Sequence, residues 1–450
     1  MKKLYILFLA TLMTCGVAGA QTVKVITSEE DALMYGGQQI FAISNNGRYA
    51  AGSTMTLNPF IYDSQENRTI VFTDALGSSS SVSGGELHFV SDDGVAVGWD
   101  DNGGIRCTAT GGYTVIESAK GTVNMAMCES MTQDGSVIVG SVADGGWNQN
   151  PCYWKNGERV MLDFPTTDEA GFKINGARAL AISADGKVIM GQIIDRYQSL
   201  PLILWELQAD GTYAVNNAWK GKYESFDEPV YDENGKQIDA IRGENPYLIF
   251  RPGAMSSDGK SVALYIVENT EELNPPFIMG IYDVPSGEME LVPDMATGMM
   301  RNYGEFIIRG IADNRTVFGT AGALALGTEP FIVFPDQLTP LPLEEAYPDV
   351  DQFQLYYDNK LEGMPYLGTA ISADARFLGG YTIILTDNNM FAEGFIFDTG
   401  AQNNAVEKVE SAGLEREEYL TIDGLRLNAP QKGLNIIRTK DGNVKKVIIK

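Results

Sequence analysis

Histidine is almost missing from this chain: His88 is the only one in 450 residues. That excludes zinc sites built on several imidazoles and leaves His88 as the sole candidate base for a Ser-His-Asp or Cys-His arrangement. It sits in the strand-like run Glu86–Val90, where packing between sheets is the expected role. Cysteine is scarce as well, with four residues. Cys15 falls in the N-terminal leader. Cys107, Cys128 and Cys152 match no zinc spacing and read as small buried hydrophobes, and an odd number leaves at least one thiol without an intramolecular partner. Positive charge is short: 33 Lys and Arg stand against 59 Asp and Glu, a net charge of −26. Such a surface repels phosphate backbones and anionic headgroups, and no basic cluster offsets it, so nucleic acid is not an expected partner. No apolar run after Gln21 approaches the roughly 20 residues a membrane-spanning helix needs, so no transmembrane segment is expected.

What is present begins with a leader. Lys2 and Lys3 precede the apolar run Leu4–Met13, and Ala18 and Ala20 occupy the small-residue positions before Gln21. Residues 1–20 therefore read as a signal peptide. Cleavage before Gln21 fits better than lipidation at Cys15, because Thr14 suits the position before a lipidated cysteine poorly.

The body of the chain, residues 21–400, is organised by a repeat. Segments starting at Ala42, Phe89, Ser130, Ala181, Ala254, Gly310 and Ala370 share an apolar run, a Ser or Thr, an Asp/Asn-Gly turn and a second run ending in Gly. The turn positions Gly47, Gly94, Gly135, Gly186, Gly259, Arg315 and Ala375 follow one another at intervals of 41 to 73 residues. Asp or Asn at such a turn bonds local backbone, and Gly supplies the positive φ of a tight hairpin. The second glycines, Gly52, Gly98, Gly140, Gly191, Gly319 and Gly379, suit close backbone approach between crowded sheets. A third strand follows each hairpin, as in Asn58–Asp63 and Asn150–Gly157, and a short fourth usually comes next. Seven four-stranded units predict an all-β fold, a seven-bladed β-propeller. The seventh unit lacks a fourth strand, and Thr22–Thr27 is a spare one; it is expected to close the last blade and so remove exposed sheet edges.

These segments resemble the HAF-type repeats of secreted bacterial proteins, written AI(S/N)xDGxVVG. "SSDGKSVAL" and "SADGKVIMG" are similar to strand pairs of Tol-system-like propellers. The likeness covers about residues 40–400 and implies fold far more than activity. Residues 401–418 are polar and acidic and read as a linker. In residues 419–450, the runs Tyr419–Leu427 and Gly433–Lys450 predict a three-stranded sheet. This module resembles the type A C-terminal sorting domain of Bacteroidetes type IX secretion, which implies secretion machinery as a partner and an exported protein, secreted, at the cell surface or in the periplasm.

Propeller topology puts the short Asp-Gly turns at one pole and the longer connections at the other. The elaborated pole is expected to carry Trp99, Trp147, Arg196 and Tyr197. The insertion from Asn217 to Asn245 adds Trp219 and Tyr223, with "YDENGKQI" as its own hairpin. Aromatics with polar neighbours suit a glycan or protein ligand, or else seal the insertion onto the ring. The leading expectation is an exported, non-enzymatic binding protein. Two alternatives stand beside it: a carboxylate-dependent glycoside hydrolase or lyase at the central mouth, and a structural surface scaffold. No catalytic residue, metal ligand or cofactor is singled out. Loops Trp99–Gly104 and Val267–Asn274 offer oxygen atoms to Ca²⁺ but lack the spacing of a calcium loop.

Overall fold

The structure is a computed structural model that describes residues 21–72, 84–118, 126–143, 149–167, 173–194, 202–216, 228–231, 237–241, 249–267, 277–292, 306–322, 328–361, 364–386, 389–400, 418–420, 426–427, 433–438 and 444–449. After the first strand, β1 (Thr22–Val25), comes helix α1 (Glu29–Tyr35). Blade 1 is β2 (Gln38–Ile43), β3 (Tyr49–Thr54), β4 (Pro59–Asp63) and β5 (Arg68–Val71). Blade 2 is β6 (Glu86–Val90), β7 (Val95–Asp100), β8 (Gly103–Thr108) and β9 (Tyr113–Ser118). Blade 3 is β10 (Ala126–Met131), β11 (Val137–Ala143), β12 (Gln149–Lys155) and β13 (Glu158–Met161). Blade 4 is β14 (Gly176–Ile182), β15 (Val188–Ile194), β16 (Leu202–Leu207) and β17 (Tyr213–Val215).

The insertion contributes β18 (Glu228–Tyr231) and β19 (Gln237–Ile241), an antiparallel pair on its own, as "YDENGKQI" suggests. Blade 5 is β20 (Ile249–Met255), β21 (Ser261–Val267), β22 (Phe277–Asp283) and β23 (Met289–Val292). Blade 6 is β24 (Phe306–Ile311), β25 (Val317–Ala321), β26 (Glu329–Val333) and β27 (Pro340–Pro342). Helices α2 (Leu343–Ala346) and α3 (Asp351–Leu361) precede blade 7, which is β28 (Tyr366–Ile371), β29 (Phe377–Leu385) and β30 (Met390–Asp398). Each blade is an antiparallel sheet in sequence order, and β1 pairs with β30 to complete blade 7. The protein is a seven-bladed β-propeller, closed as the spare N-terminal strand predicts.

The core is not one mass but seven slabs. Buried apolar clusters sit between blades 1 and 2 (Ile61 with Ile105), 2 and 3 (Val97 with Trp154), 3 and 4 (Tyr153 with Trp205), and 4 and 5 (Leu204 with Val262). The other three lie between blades 5 and 6 (Ile281 with Phe331), 6 and 7 (Phe318 with Phe395), and 7 and 1 (Ile396 with Phe60). Each sheet is therefore buried on both faces, which is why the second and third strands read as unbroken apolar runs rather than alternating ones. β3, β4, β25 and β26 are buried at every position.

The Ser-x-Asp-Gly signature has a local cause. In blade 4 the Ser183 hydroxyl donates to Asp185 Oδ1 (2.8 Å) and accepts from the Val188 amide (3.0 Å), while Asp185 Oδ1 accepts from the Lys187 amide (3.0 Å). The same bonds recur around Ser44, Thr132, Ser256 and Ser372. The turn residue lies at φ near +70° throughout, including the non-glycines Arg315 (70°) and Ala375 (59°). Those two repeats keep the turn geometry without the glycine that makes it easy.

Three helices were not foreseen. α1 follows Ser28, whose hydroxyl caps the Asp31 amide at 3.0 Å, so Ser28-x-x-Asp31 was a legible start signal. α3 buries Phe353 and Tyr356 against Phe395, Phe397 and Tyr366.

The chain divides into two compact units at Ala401/Gln402. The second holds β31 (Glu418–Leu420), β32 (Arg426–Leu427), β33 (Gly433–Arg438) and β34 (Val444–Ile449) in a sheet of order β32-β31-β33-β34. This corrects the expected three strands. Within the run Tyr419–Leu427, Tyr419 stands opposite Leu427 in an antiparallel pair of two strands rather than one.

Candidate functional site

The seven innermost strands surround the propeller axis, and all seven carry a β-bulge at the same place. The pairing register skips one residue between Ile40 and Ala42, Leu87 and Phe89, Cys128 and Ser130, and Ala179 and Ala181. It does so again between Pro252 and Ala254, Ile308 and Gly310, and Gly368 and Ala370. The extra residues are Phe41, His88, Glu129, Leu180, Gly253, Arg309 and Thr369. A bulge re-aims one side chain out of the strand's alternation. Seven of them make a ring about the axis, and all but Thr369 line the axial cavity.

The bulge also accounts for the second glycine of the repeat. Directly before it, Gly52, Gly98, Gly140, Gly191, Gly319 and Gly380 face the innermost strand. A Cβ on any of the six would lie 1.8 to 2.2 Å from a carbonyl oxygen of that strand. The close approach is thus within each blade, not between crowded sheets. In blade 7 the residue is Gly380 rather than the expected Gly379, whose Cβ would come no nearer to any atom than 3.1 Å, at Ile40 Cγ2. Blade 5 places Leu264 there, opposite Pro252.

The sole histidine belongs to the ring. His88 Nδ1 lies 2.7 Å from Glu129 Oε2 on blade 3, and Nε2 lies 2.8 Å from Glu86 Oε1 on its own strand. Its side chain is 22% exposed and that of Glu129 13%, so the group is shielded but not sealed. Burial alone would lower the imidazole's pKa; bonds to Glu129 and Glu86 outweigh that and raise it to about 10. For Glu86 burial pushes upward, yet His88, the Trp99 indole and the field of Arg309 hold its pKa below the usual value. His88 is an imidazolium at neutral pH, joining two blades at the axis rather than lying inside one interface.

The cavity, about 260 Å³, runs from the bulge ring toward the pole of the hairpin turns. Those turns are linked by hydrogen bonds across six of the seven blade junctions. The Asn46 amide donates to Asp92 Oδ1 (2.8 Å), the Asp92 amide to Gln133 Oε1 (3.3 Å) and the Ala184 amide to the Ser257 carbonyl (2.7 Å). The Asp258 amide donates to Asp313 Oδ1 (2.8 Å), the Asp313 amide to the Ala373 carbonyl (2.7 Å) and the Ala373 amide to Asn45 Oδ1 (2.9 Å). The middle residues of five of these turns, Asn45, Gln133, Ala184, Ser257 and Ala373, line the mouth.

Of the ligand-binding candidates, Trp99 is described. It is half-buried on β7, with its indole N–H donating to Glu86 Oε1 at 3.1 Å. Trp147, Arg196, Tyr197, Trp219 and Tyr223 lie outside the described residues. In the Trp99–Gly104 loop, Asp100 accepts from the Tyr113 hydroxyl (2.6 Å) and the Asn102 amide (2.7 Å), so both its oxygens serve the hairpin. Most of Val267–Asn274 lies outside the described residues. Cys107, Cys128 and Cys152 are free thiols at 0% exposure, and burial raises all three pKa values, that of Cys152 to about 12. Among the described residues no helix is long and apolar enough to cross a membrane.

Sequence reading missed Glu129, Arg309 and the rest of the ring. The signal was there: aligned on their turns, the seven repeats keep their flanks but place Phe, His, Glu, Leu, Gly, Arg and Thr at one position. A position that changes chemical type inside an otherwise uniform repeat is one the fold leaves free.

No family model matches the chain, and no curated protein matches it. Among solved structures, it is similar to an oligogalacturonate lyase from Vibrio parahaemolyticus, at 9% identity and a TM-score of 0.45 over 84% of this chain and 97% of that one. It is also similar to TolB from Acinetobacter baumannii, at 14% identity and a TM-score of 0.36 over 70% of this chain and 67% of that one.

Proposed function

We propose that this is an exported, non-catalytic binding protein in which the propeller is a rigid holder for a glycan or protein ligand. The observation that carries the reading is the state of its reactive groups. His88, the one imidazole, is held as a cation between two carboxylates and has no lone pair to offer as a base near pH 7. The three described thiols are buried and far from thiolate.

A glycosidase needs two carboxylates about 5–9.5 Å apart with a sugar between them, one of them kept protonated. Glu86 and Glu129 do face each other near the axis, but the His88 ring fills the space between them. Glu86 is moreover pushed toward ionisation, away from the raised pKa of a general acid.

Export rests on the leader-like residues 1–20. Attachment or sorting rests on the resemblance of residues 419–450 to type A sorting domains. In this reading the aromatic loops at the pole opposite the hairpin turns supply the contact surface, through Trp147, Arg196, Tyr197, Trp219 and Tyr223. Glycan-array screening and pull-down with the mature protein test it, alongside Trp147→Ala and Trp219→Ala. A ligand whose retention drops about tenfold or more in either variant supports the reading, since an aromatic anchor commonly contributes at least 1–2 kcal/mol. No ligand, or one indifferent to both substitutions, refutes it.

A further inference from the structure

The axial cavity has a chemistry of its own, independent of the aromatic loops. The chain as a whole carries far more acid than base. Its seven innermost strands invert that balance: Arg178, Arg251, Arg309 and the His88 imidazolium stand against Glu86 and Glu129. Of these, Arg309, His88 and Glu129 line the cavity, Arg178 donates to Gln149 on blade 3, and both anions are committed to His88.

Arg309 is the uncommitted member. Its side chain is exposed, lines the cavity, and makes no hydrogen bond or ion pair with any described residue. Its field still reaches Glu86, Tyr265 and Tyr381, on three other blades. The adjacent ring position is Gly253, so no side chain there crowds the guanidinium. At the mouth, Asn45 and Gln133 spend their carbonyl oxygens on the Ala373 and Asp92 amides, which leaves their NH₂ ends as donors. Phe41 and Leu180, also lining the cavity, present apolar surface on the same ring.

We infer that the axial cavity binds a small organic carboxylate, its carboxylate group seated on Arg309 and its carbon skeleton against Phe41 and Leu180. A planar guanidinium takes a carboxylate through two parallel N–H···O bonds, and the low-dielectric wall of a closed ring strengthens the pairing. At about 260 Å³ the cavity holds a single small molecule.

Isothermal titration calorimetry of the mature protein at low ionic strength tests this, with glucuronate, lactate and benzoate each measured beside its neutral alcohol or amide counterpart. At least one acid is expected to bind about tenfold or more tightly than its neutral partner. Arg309→Gln should erase that preference, whereas Arg309→Lys should keep part of it, because charge survives and the planar fork does not. A melting temperature unchanged in Arg309→Gln shows that the loss is not unfolding. No acid preferred over its neutral partner, or a preference undiminished in Arg309→Gln, overturns the inference and leaves the reading of the aromatic face untouched.

Discussion

His88 Nδ1 and Glu129 Oε2 lie 2.7 Å apart across the junction of blades 2 and 3. Each is the bulge residue of its innermost strand, so the same irregularity repeated in neighbouring blades brings the two together. Replacing His88 with Gln leaves Glu86 and Glu129 facing one another with no cation between them. We expect a loss of about 1.5–3 kcal/mol in urea unfolding, the range for a hydrogen bond to a charged group in a shielded site. The double variant His88→Gln/Glu129→Gln should lose less than the sum of its singles, because the uncompensated charge is gone.

The same pair fixes a pH dependence. The folded His88 pKa, near 10, exceeds the ordinary 6.5, so the folded state holds a proton that the unfolded chain has released. Its stabilisation is complete below pH 6.5 and fades as pH rises toward 10. Glu86 acts oppositely: its lowered pKa contributes above the ordinary 4.5 and is lost as pH falls. As the only histidine, His88 gives an unambiguous imidazole C–H resonance, which should stay at its protonated shift from pH 5 to 8. A midpoint near 6.5 would show that the clamp is not formed.

Blade 7 carries two adjacent glycines with unequal roles. A Cβ at Gly380 would lie 2.2 Å from the Leu367 carbonyl oxygen, a backbone atom held by the bulge, whereas one at Gly379 would meet a methyl group at 3.1 Å. Gly380→Ala should therefore cost about 3 kcal/mol or more in chemical denaturation, and Gly379→Ala about 1 kcal/mol or less. Equal effects would contradict the bulge assignment.

Ala375 holds the turn position of blade 7 at φ 59°, where five of the other blades use glycine. Ala375→Gly should raise stability by about 0.5–1 kcal/mol, since relief of the left-handed strain outweighs the entropy glycine adds to the unfolded chain. Differential scanning calorimetry would register this as a melting temperature shifted upward. Arg315→Gly is a poorer choice, because it also removes the 2.6 Å ion pair with Glu290.

The blade count and the role of the Asp-Gly turns were legible in the sequence because each rests on a local pattern repeated along the chain, and the ring closure by Thr22–Val25 because one unit lacked a fourth strand while one strand was spare. Ser183 caps its own turn with atoms no more than five residues away, so its meaning travels with the segment. The glycine signature was legible as a close approach, but not as what it approaches. Gly140 stands opposite Cys128, against the Met127 carbonyl, only once β10 and β11 are in register.

The axial site belongs wholly to the tertiary structure. His88, Glu129 and Arg309 are separated by 41 and 180 positions in the chain, and nothing in their local sequences joins them. The repeat alone determined that there would be seven alike sheets, because apolar runs and turn chemistry act over a few residues. Which side chains meet at the centre was decided by closing the ring: a radial arrangement brings one equivalent residue per blade to a common axis, and charges there compete or pair only after the circle is complete.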